Sequence, residues 1–274
     1  MGAFDNIVSW WVAAQGRVND TAAAAVPLEP LPPQHPYFPQ DLVLSGYVEN
    51  ETPLHVLLAS FAGMLGCTIL ATGVLARKVN PQLTASSLAV VSWFVMCGCL
   101  HCFFEGYFVA NHATIVSSQH LFSQLWKEYA LSDSRYLISD PFMLSVEAIT
   151  VVVLGPLSFL SAASTVLQSP LRHPLRMIVC IAHLFSVSLY YSTSLTESYF
   201  TGRWDSRPEP QYFWLYYVGF NLPWAAVPLV LLNNSIKSVV VALRAVERMA
   251  VTLDESKSLR DGKGTAELEE KKAE

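Results

Sequence analysis

LTASSLAVVSWFVMCGCLHCFFEGYFVA, residues Leu83–Ala110, is long and apolar enough to cross a bilayer, yet it holds His101 and Glu105. About 20 apolar residues cross a hydrocarbon core of about 30 Å. Inside such a segment a charge costs roughly 2.5 to 3.5 kcal/mol even on the lenient insertion scale, so a chain keeps one only where it faces a partner or a cavity. Outward from this stretch, Pro53–Ala76, Pro141–Gln168, Leu175–Ser194 and Tyr212–Leu232 also read as spans. The expected architecture is an all-α polytopic membrane protein, a bundle of five transmembrane helices with an intramembrane ligand cavity. Composition agrees, because 52% of the 274 residues are hydrophobic and 14% are charged, against about 25% charged in soluble domains. No nucleic-acid partner is expected.

The chain divides into an N-terminal extension with a Pro-rich arm over 1–52, a membrane domain over 53–246 and a charged tail over 247–274. Pro27 to Pro39 reads as an extended arm rather than a packed element. Phe4 to Val18, with Trp10 and Trp11, reads either as a short interfacial helix or as a disordered leader. No basic region leads into an early apolar run, so the first span is expected to do the targeting. The fifth span is expected to continue as helix over Ser235 to Met249, which is apolar at helical spacing.

Basic residues are retained on the cytoplasmic side. Arg77, Lys78, Arg172, Arg176 and the tail from Lys237 onward make 12 of the 17 Lys and Arg residues on one side. The tail is thus expected in the cytoplasm and the N-terminus on the far side, where Asn19-Asp-Thr and Asn50-Glu-Thr are glycosylation sequons.

With about 1.5 Å of rise per residue, Glu105 and Glu147 lie roughly 10 Å deep, and His101, Thr150, His183 and Asn221 roughly 15 Å deep. His101 and Glu105, Glu147 and Thr150, and Asn221 and Trp224 each share a helix face by spacing. A pair that fastens helices together explains any one of these. A shared pocket explains their common depth. One His and two carboxylates would also make a three-ligand metal set, but no second clustered His and no recognisable ligand spacing supports it, so no metal and no cofactor are expected. Cys67, Cys97, Cys99, Cys102 and Cys180 read as small packing residues.

Several strings carry a resemblance: HPYFPQ (His35–Gln40), HCFFEGYFV (His101–Val109), SQLWKEYA (Ser123–Ala130), DSRY (Asp133–Tyr136), GPLS (Gly155–Ser158), HPLR (His173–Arg176) and YFWLYYVGFNLPW (Tyr212–Trp224). In this order they resemble the emopamil-binding protein family, with its EXPERA domain, which comprises the sterol Δ8–Δ7 isomerases of the endoplasmic reticulum. The resemblance implies a catalytic cavity lined by His101, Glu105, Glu147, Thr150 and Asn221, with Trp224 and with Tyr136 near the mouth. Trp224, Tyr136, His183, which the depth count selects, and Trp126 are expected as substrate-binding residues. It implies a 3β-hydroxysteroid substrate whose ring double bond moves from C8–C9 to C7–C8 by protonation and deprotonation through a carbocation.

On this reading His101 and Glu105 form the proton-shuttling pair, and Glu147, held by Asn221 and Thr150, stabilises the cation, with a cation–π contact from Trp224. Cationic amphiphilic amines are expected as inhibitors, because their ammonium imitates that cation. Where the family tends to carry Gln and Asp in the fourth span, this chain reads His183 and Val187. An isomerase or cyclase for another terpenoid and a non-catalytic sterol- or amine-binding member stay open beside the isomerase. Lys271-Lys272-Ala273-Glu274 resembles a dilysine retrieval signal, implying the endoplasmic-reticulum membrane. Membrane lipid is a further expected partner, and dimerisation is left open.

Overall fold

A computed structural model describes residues 35–273. The Phe4–Val18 segment, Asn19 and the first part of the Pro-rich stretch lie outside the described residues. Five helices are long and apolar enough to cross a membrane: Leu54–Val79, Ala85–Asn111, Pro141–Val166, Arg172–Thr201 and Tyr212–Asp254. The first is a single helix, α1 (Leu54–Val79), with Arg77 and Lys78 in its last turn against the negative helix end. The second begins as α2 (Ala85–Cys99), capped by the Thr84 hydroxyl accepting from the Ser87 amide at 3.2 Å. It widens into a π segment, π1 (Leu100–Glu105), and resumes as α3 (Gly106–Asn111).

Outside the membrane α4 (Leu121–Tyr129) and a 3₁₀ turn (Ser134–Leu137) lead into the third span. That span comprises α5 (Pro141–Ile149), π2 (Thr150–Leu154) and α6 (Gly155–Val166). Asp140 caps α5 by accepting from the Met143 amide at 2.9 Å, and Pro141 sits where a missing N–H costs nothing. The fourth span is one helix, α7 (Arg172–Thr201). It outruns the apolar stretch Leu175–Ser194 because nothing breaks it before Gly202, whose φ of 69° and amide bond to Ser198 make the stop.

The fifth span is not continuous. It runs as π3 (Tyr212–Gly219), loses regular helix over Phe220–Leu222, and restarts as α8 (Pro223–Ala273). Pro223 donates no amide hydrogen and disfavours helical backbone at Leu222, so the break falls there. Asn221 and Trp224 therefore sit on opposite sides of a helix junction, not on one face of a regular helix. The continuation past the membrane is helical, as the spacing of Ser235 to Met249 predicts.

The described end of the Pro-rich stretch, from His35, departs from the extended arm expected over Pro27 to Pro39. His35, Tyr37, Leu42 and Leu44 are buried, and Tyr37 joins one apolar core with Phe108, Ile115, Trp126 and Tyr136. The reason is local: the His35 ring bonds the Leu42 carbonyl at 2.7 Å, closing a compact loop with an aromatic face to bury. Buried polar contacts then fasten this loop to the belt above the helices. Ser134 Oγ donates to the Phe38 carbonyl at 2.5 Å, the Ser134 amide donates to Asp205 O at 3.0 Å, and Arg135 grips Asp133 through Nε and Nη2 at 2.9 and 2.6 Å. Lys127 Nζ donates to the Val48 carbonyl at 2.8 Å.

Candidate active site

The π segments set the geometry. In π1 the Gly106 amide reaches back to the His101 carbonyl, one residue further than an α-helix allows. His101 and Glu105, four residues apart, are neighbours on this segment. His101 Nδ1 lies 2.8 and 2.7 Å from the two Glu105 carboxylate oxygens. In π2 the Gly155 amide likewise bonds back to the Thr150 carbonyl. Thr150 Oγ1 faces π1 and lies 2.8 Å from Glu105 Oε2, 2.7 Å from the Glu147 carbonyl and 3.3 Å from Glu147 Oε2. Its single hydroxyl hydrogen is shared among three acceptors, two of them carboxylates from different spans.

Two residues extend this line. The Tyr136 hydroxyl donates to Glu147 Oε1 at 2.9 Å, and His183 Nε2 lies 3.0 Å from His101 Nε2. The continuous chain is His183, His101, Glu105, Thr150, Glu147, Tyr136. All its links are buried or nearly so, with His101 at 3%, His183 at 2%, Thr150 at 6% and Glu147 at 9% exposure. Burial, reinforced by the Glu147 charge, pushes the Tyr136 phenol well above its ordinary range, so it stays a donor.

The tautomers follow from the partners. With His101 Nδ1–H aimed at Glu105, its Nε2 accepts from His183 Nε2–H, leaving His183 Nδ1 as a lone pair. That atom is buried and has no partner in the protein.

The remaining candidates stand one step back. Asn221 does not touch Glu147: its amide donates to Tyr129 Oη at 3.0 Å and to the Tyr217 carbonyl at 2.8 Å. Burial raises the Tyr129 phenol, which also stays protonated. Tyr136 takes the place beside Glu147 that the sequence assigns to Asn221, and it is 5% exposed, so it lies inside the protein and not at an open mouth. Trp126 packs flat on Phe104, with ring centroids 4.6 Å apart and planes 11° apart, and its indole N–H donates to the Phe104 carbonyl at 3.1 Å. That carbonyl belongs to π1, so Trp126 braces the segment carrying His101 and Glu105. Trp224 packs on Trp93 at 5.6 Å.

Tyr129, Trp93 and Gly155 escaped the sequence reading. Gly155 has a signal in the GPLS string: a Cβ there would strike Cys102 Sγ and meet His101 Cβ at 3.4 Å. The third span thus touches π1 backbone to backbone, holding Thr150 against Glu105.

An acid, a base and a bridging hydroxyl in a dry site suit proton transfer to and from an apolar substrate. Comparison with known proteins agrees. The rat 3-beta-hydroxysteroid-Delta(8),Delta(7)-isomerase is 34% identical over 207 residues, covering 75% of this chain and 88% of that protein. The guinea pig (Cavia porcellus) protein of the same name is 33% identical over 217 residues, covering 78% and 93%. The isomeliandiol synthase MOI2 of Melia azedarach is 32% identical over 149 residues, covering 54% and 68%. The family model of EXPERA, the expanded EBP superfamily, matches residues 121–235. With the helical membrane architecture, the buried acid–base chain and relatives aligned along most of their length, the chain belongs to the EXPERA superfamily.

Proposed function

We propose that this protein is a 3β-hydroxysteroid Δ8–Δ7 isomerase, an intramolecular isomerase that transposes a ring C=C bond. The observation that carries the reading is the unbroken link from His101 through Glu105 and Thr150 to Glu147, which joins two carboxylates and an imidazole across two spans. Moving the double bond requires a proton delivered at C9, a transient cation at C8 and a proton removed from C7. Each step needs a group that holds or releases a proton beside an apolar ring.

The His101–Glu105 pair handles the proton. The imidazole passes the proton while hydrogen-bonded to the Glu105 carboxylate, whose charge offsets that of the imidazolium. Glu147 stabilises the cation, held by Thr150 and Tyr136, and a fixed carboxylate acts far more strongly in a dry site than in water. Trp224 is assigned the cation–π contact that the resemblance implies. Asn221 acts through Tyr129. The same anionic site takes up a cationic amphiphilic amine, whose ammonium occupies the position of C8.

The protein works in the endoplasmic-reticulum membrane, with the face bearing Arg77, Arg172 and the tail in the cytoplasm. The resemblance to sterol isomerases of the endoplasmic reticulum and the basic-residue count support this placement, and sugar at Asn19 in cells would test it.

The deciding experiment is sterol profiling of a yeast strain lacking its own Δ8–Δ7 isomerase, expressing this chain or its Glu147→Gln variant. Δ7 sterols with the parent and Δ8 sterols with the variant are expected. Persistent Δ8 sterol with a well-inserted parent would reject the assignment. It would favour another terpenoid substrate, the reading that the likeness to isomeliandiol synthase supports.

A further inference from the structure

The acid–base chain ends at His183, and from His183 onward a series of buried polar side chains has no part in the chemistry above. Toward the Arg172 end, the buried face of α7 carries Cys180 and then Arg176. Facing it, α6 presents Ser158, Ser161 and Thr165 on successive turns. Ser158 and Ser161 are 0% exposed, and neither hydroxyl oxygen has a partner in the protein. The same holds for Arg176 Nε and for His183 Nδ1. The stripes meet where Arg176 Nη2 donates to Thr165 Oγ1 at 3.3 Å, and among the described residues no carboxylate forms an ion pair with Arg176.

Polar groups in the interior of a membrane protein are satisfied by protein or by water, because hydrocarbon satisfies neither. Single serines of this kind recur in any bundle. Here four unpartnered groups line two facing stripes, and one end of the line is the imidazole already hydrogen-bonded to His101. Side chains lean toward the N-terminus of their helix, which inclines His183 toward Cys180 and the Arg172 end. Arg176 to His183 spans about 10 Å along the axis.

We propose that these stripes form a hydrated proton path connecting the His183–His101 pair with the aqueous face at the Arg172 end. The proposal rests on the reading that this pair performs acid–base chemistry. The isomerisation takes up one proton at C9 and gives up one from C7, so a site buried this deep needs a route by which its acid and base are reset. Serine hydroxyls suit the task because each donates and accepts at once. Arg176 is permanently charged and takes no proton itself; at the mouth it orders water and repels inorganic cations.

The test compares isosteric replacements in lipid nanodiscs: Ser158→Thr/Ser161→Thr, which keeps both hydroxyls, and Ser158→Val/Ser161→Val, which removes them at the same volume. The smaller Ser158→Ala/Ser161→Ala pair serves if the larger side chains prevent folding. The first readout is exchange of the buried histidine ring N–H on transfer to heavy water, followed by ¹⁵N NMR, which requires no substrate. The Thr pair is expected to exchange like the parent and the hydroxyl-free pairs at least tenfold more slowly. The second is isomerase turnover, where the hydroxyl-free pairs lose kcat tenfold with KM for sterol within twofold and gain a larger solvent isotope effect. Equal exchange in parent and hydroxyl-free variants overturns the path, whatever the turnover. A parent that exchanges as expected but leaves Δ8 sterol unchanged overturns the isomerase assignment and leaves the path standing.

Discussion

Gly155→Ala tests how the two spans carrying the proposed acid–base residues are held together. The new methyl carbon would lie well inside van der Waals distance of Cys102 Sγ, with the Cys102 amide nitrogen and His101 Cβ at 3.4 Å. The last two are ordinary contacts, so the clash is with the sulfur alone. Overpacking of this kind costs about 1 to 3 kcal/mol. Relief by separating the spans draws Thr150 Oγ1 from its 2.8 Å contact with Glu105 Oε2 to beyond hydrogen-bond range. Loss of a bond to a charged group is worth about 1.5 to 3 kcal/mol, or about ten- to a hundredfold in rate if it acts in the transition state. Purified Gly155→Ala is therefore expected to melt at lower temperature and to lose about tenfold or more in kcat, measured as Δ7 sterol formed. Cys102→Ala removes the clashing atom, so Gly155→Ala/Cys102→Ala is expected to recover both melting temperature and turnover. If the single variant matches the parent, or the double variant stays as impaired as the single, the close approach of π1 and π2 is not what positions Thr150.

Tyr136→Phe removes the donor to Glu147 Oε1 while keeping the ring, so kcat falls about tenfold with KM for sterol nearly unchanged; a loss confined to KM would make Tyr136 a binding residue instead. Trp126→Phe keeps the stacking on Phe104 but not the indole bond to its carbonyl, and a loss of about 0.5 to 1.5 kcal/mol in thermal stability is expected, with no change refuting the brace. If an amine of sterol shape binds through charge, its affinity measured by radioligand displacement falls at least tenfold in Glu105→Gln/Glu147→Gln, whereas the weaker binding of its neutral isostere is the same in parent and variant; amine affinity that survives loss of both carboxylates refutes the idea. Burial, with repulsion from Asp133, raises the Asp205 carboxyl to about 6. The folded chain therefore binds this proton more tightly than the unfolded chain, and stability from this group declines as pH rises from its ordinary value near 3.8 to about 6. Asp205→Asn is expected to flatten that part of the melting-temperature profile, and an unchanged profile would refute the assignment.

The spans are legible because their signal is composition over length, and the depth count brings His101, Glu105, Glu147, Thr150 and His183 close in level because rise accumulates along a helix whichever way its side chains point. Azimuth is legible within a turn, where His101 meets Glu105 and Thr150 meets Glu147 as their spacing predicts, and not beyond it. Asn221 was aimed at Glu147 on the premise of a regular last span, and Pro223 breaks that span, leaving the amide on Tyr129. Tyr136 lies in a connection, where periodicity says nothing of direction. The HPYFPQ segment was read as an arm because prolines argue against helix and strand, and they say nothing against a compact aromatic loop.

The π segments explain why depth reads more simply than direction across a whole span. A wider turn changes rise by little but rotates every later residue about the helix axis, so it preserves level while altering which neighbour a side chain meets. Three of the five spans contain such a turn, and in two of them it falls on residues of the acid–base chain. In each of the two segments the i→i−5 bond accompanies a contact from outside that span: Trp126 on the Phe104 carbonyl, and Gly155 against Cys102. Trp126 lies in a connection, whose direction no pattern within the spans encodes, so the contacts of the candidate site become readable only once the bundle is assembled.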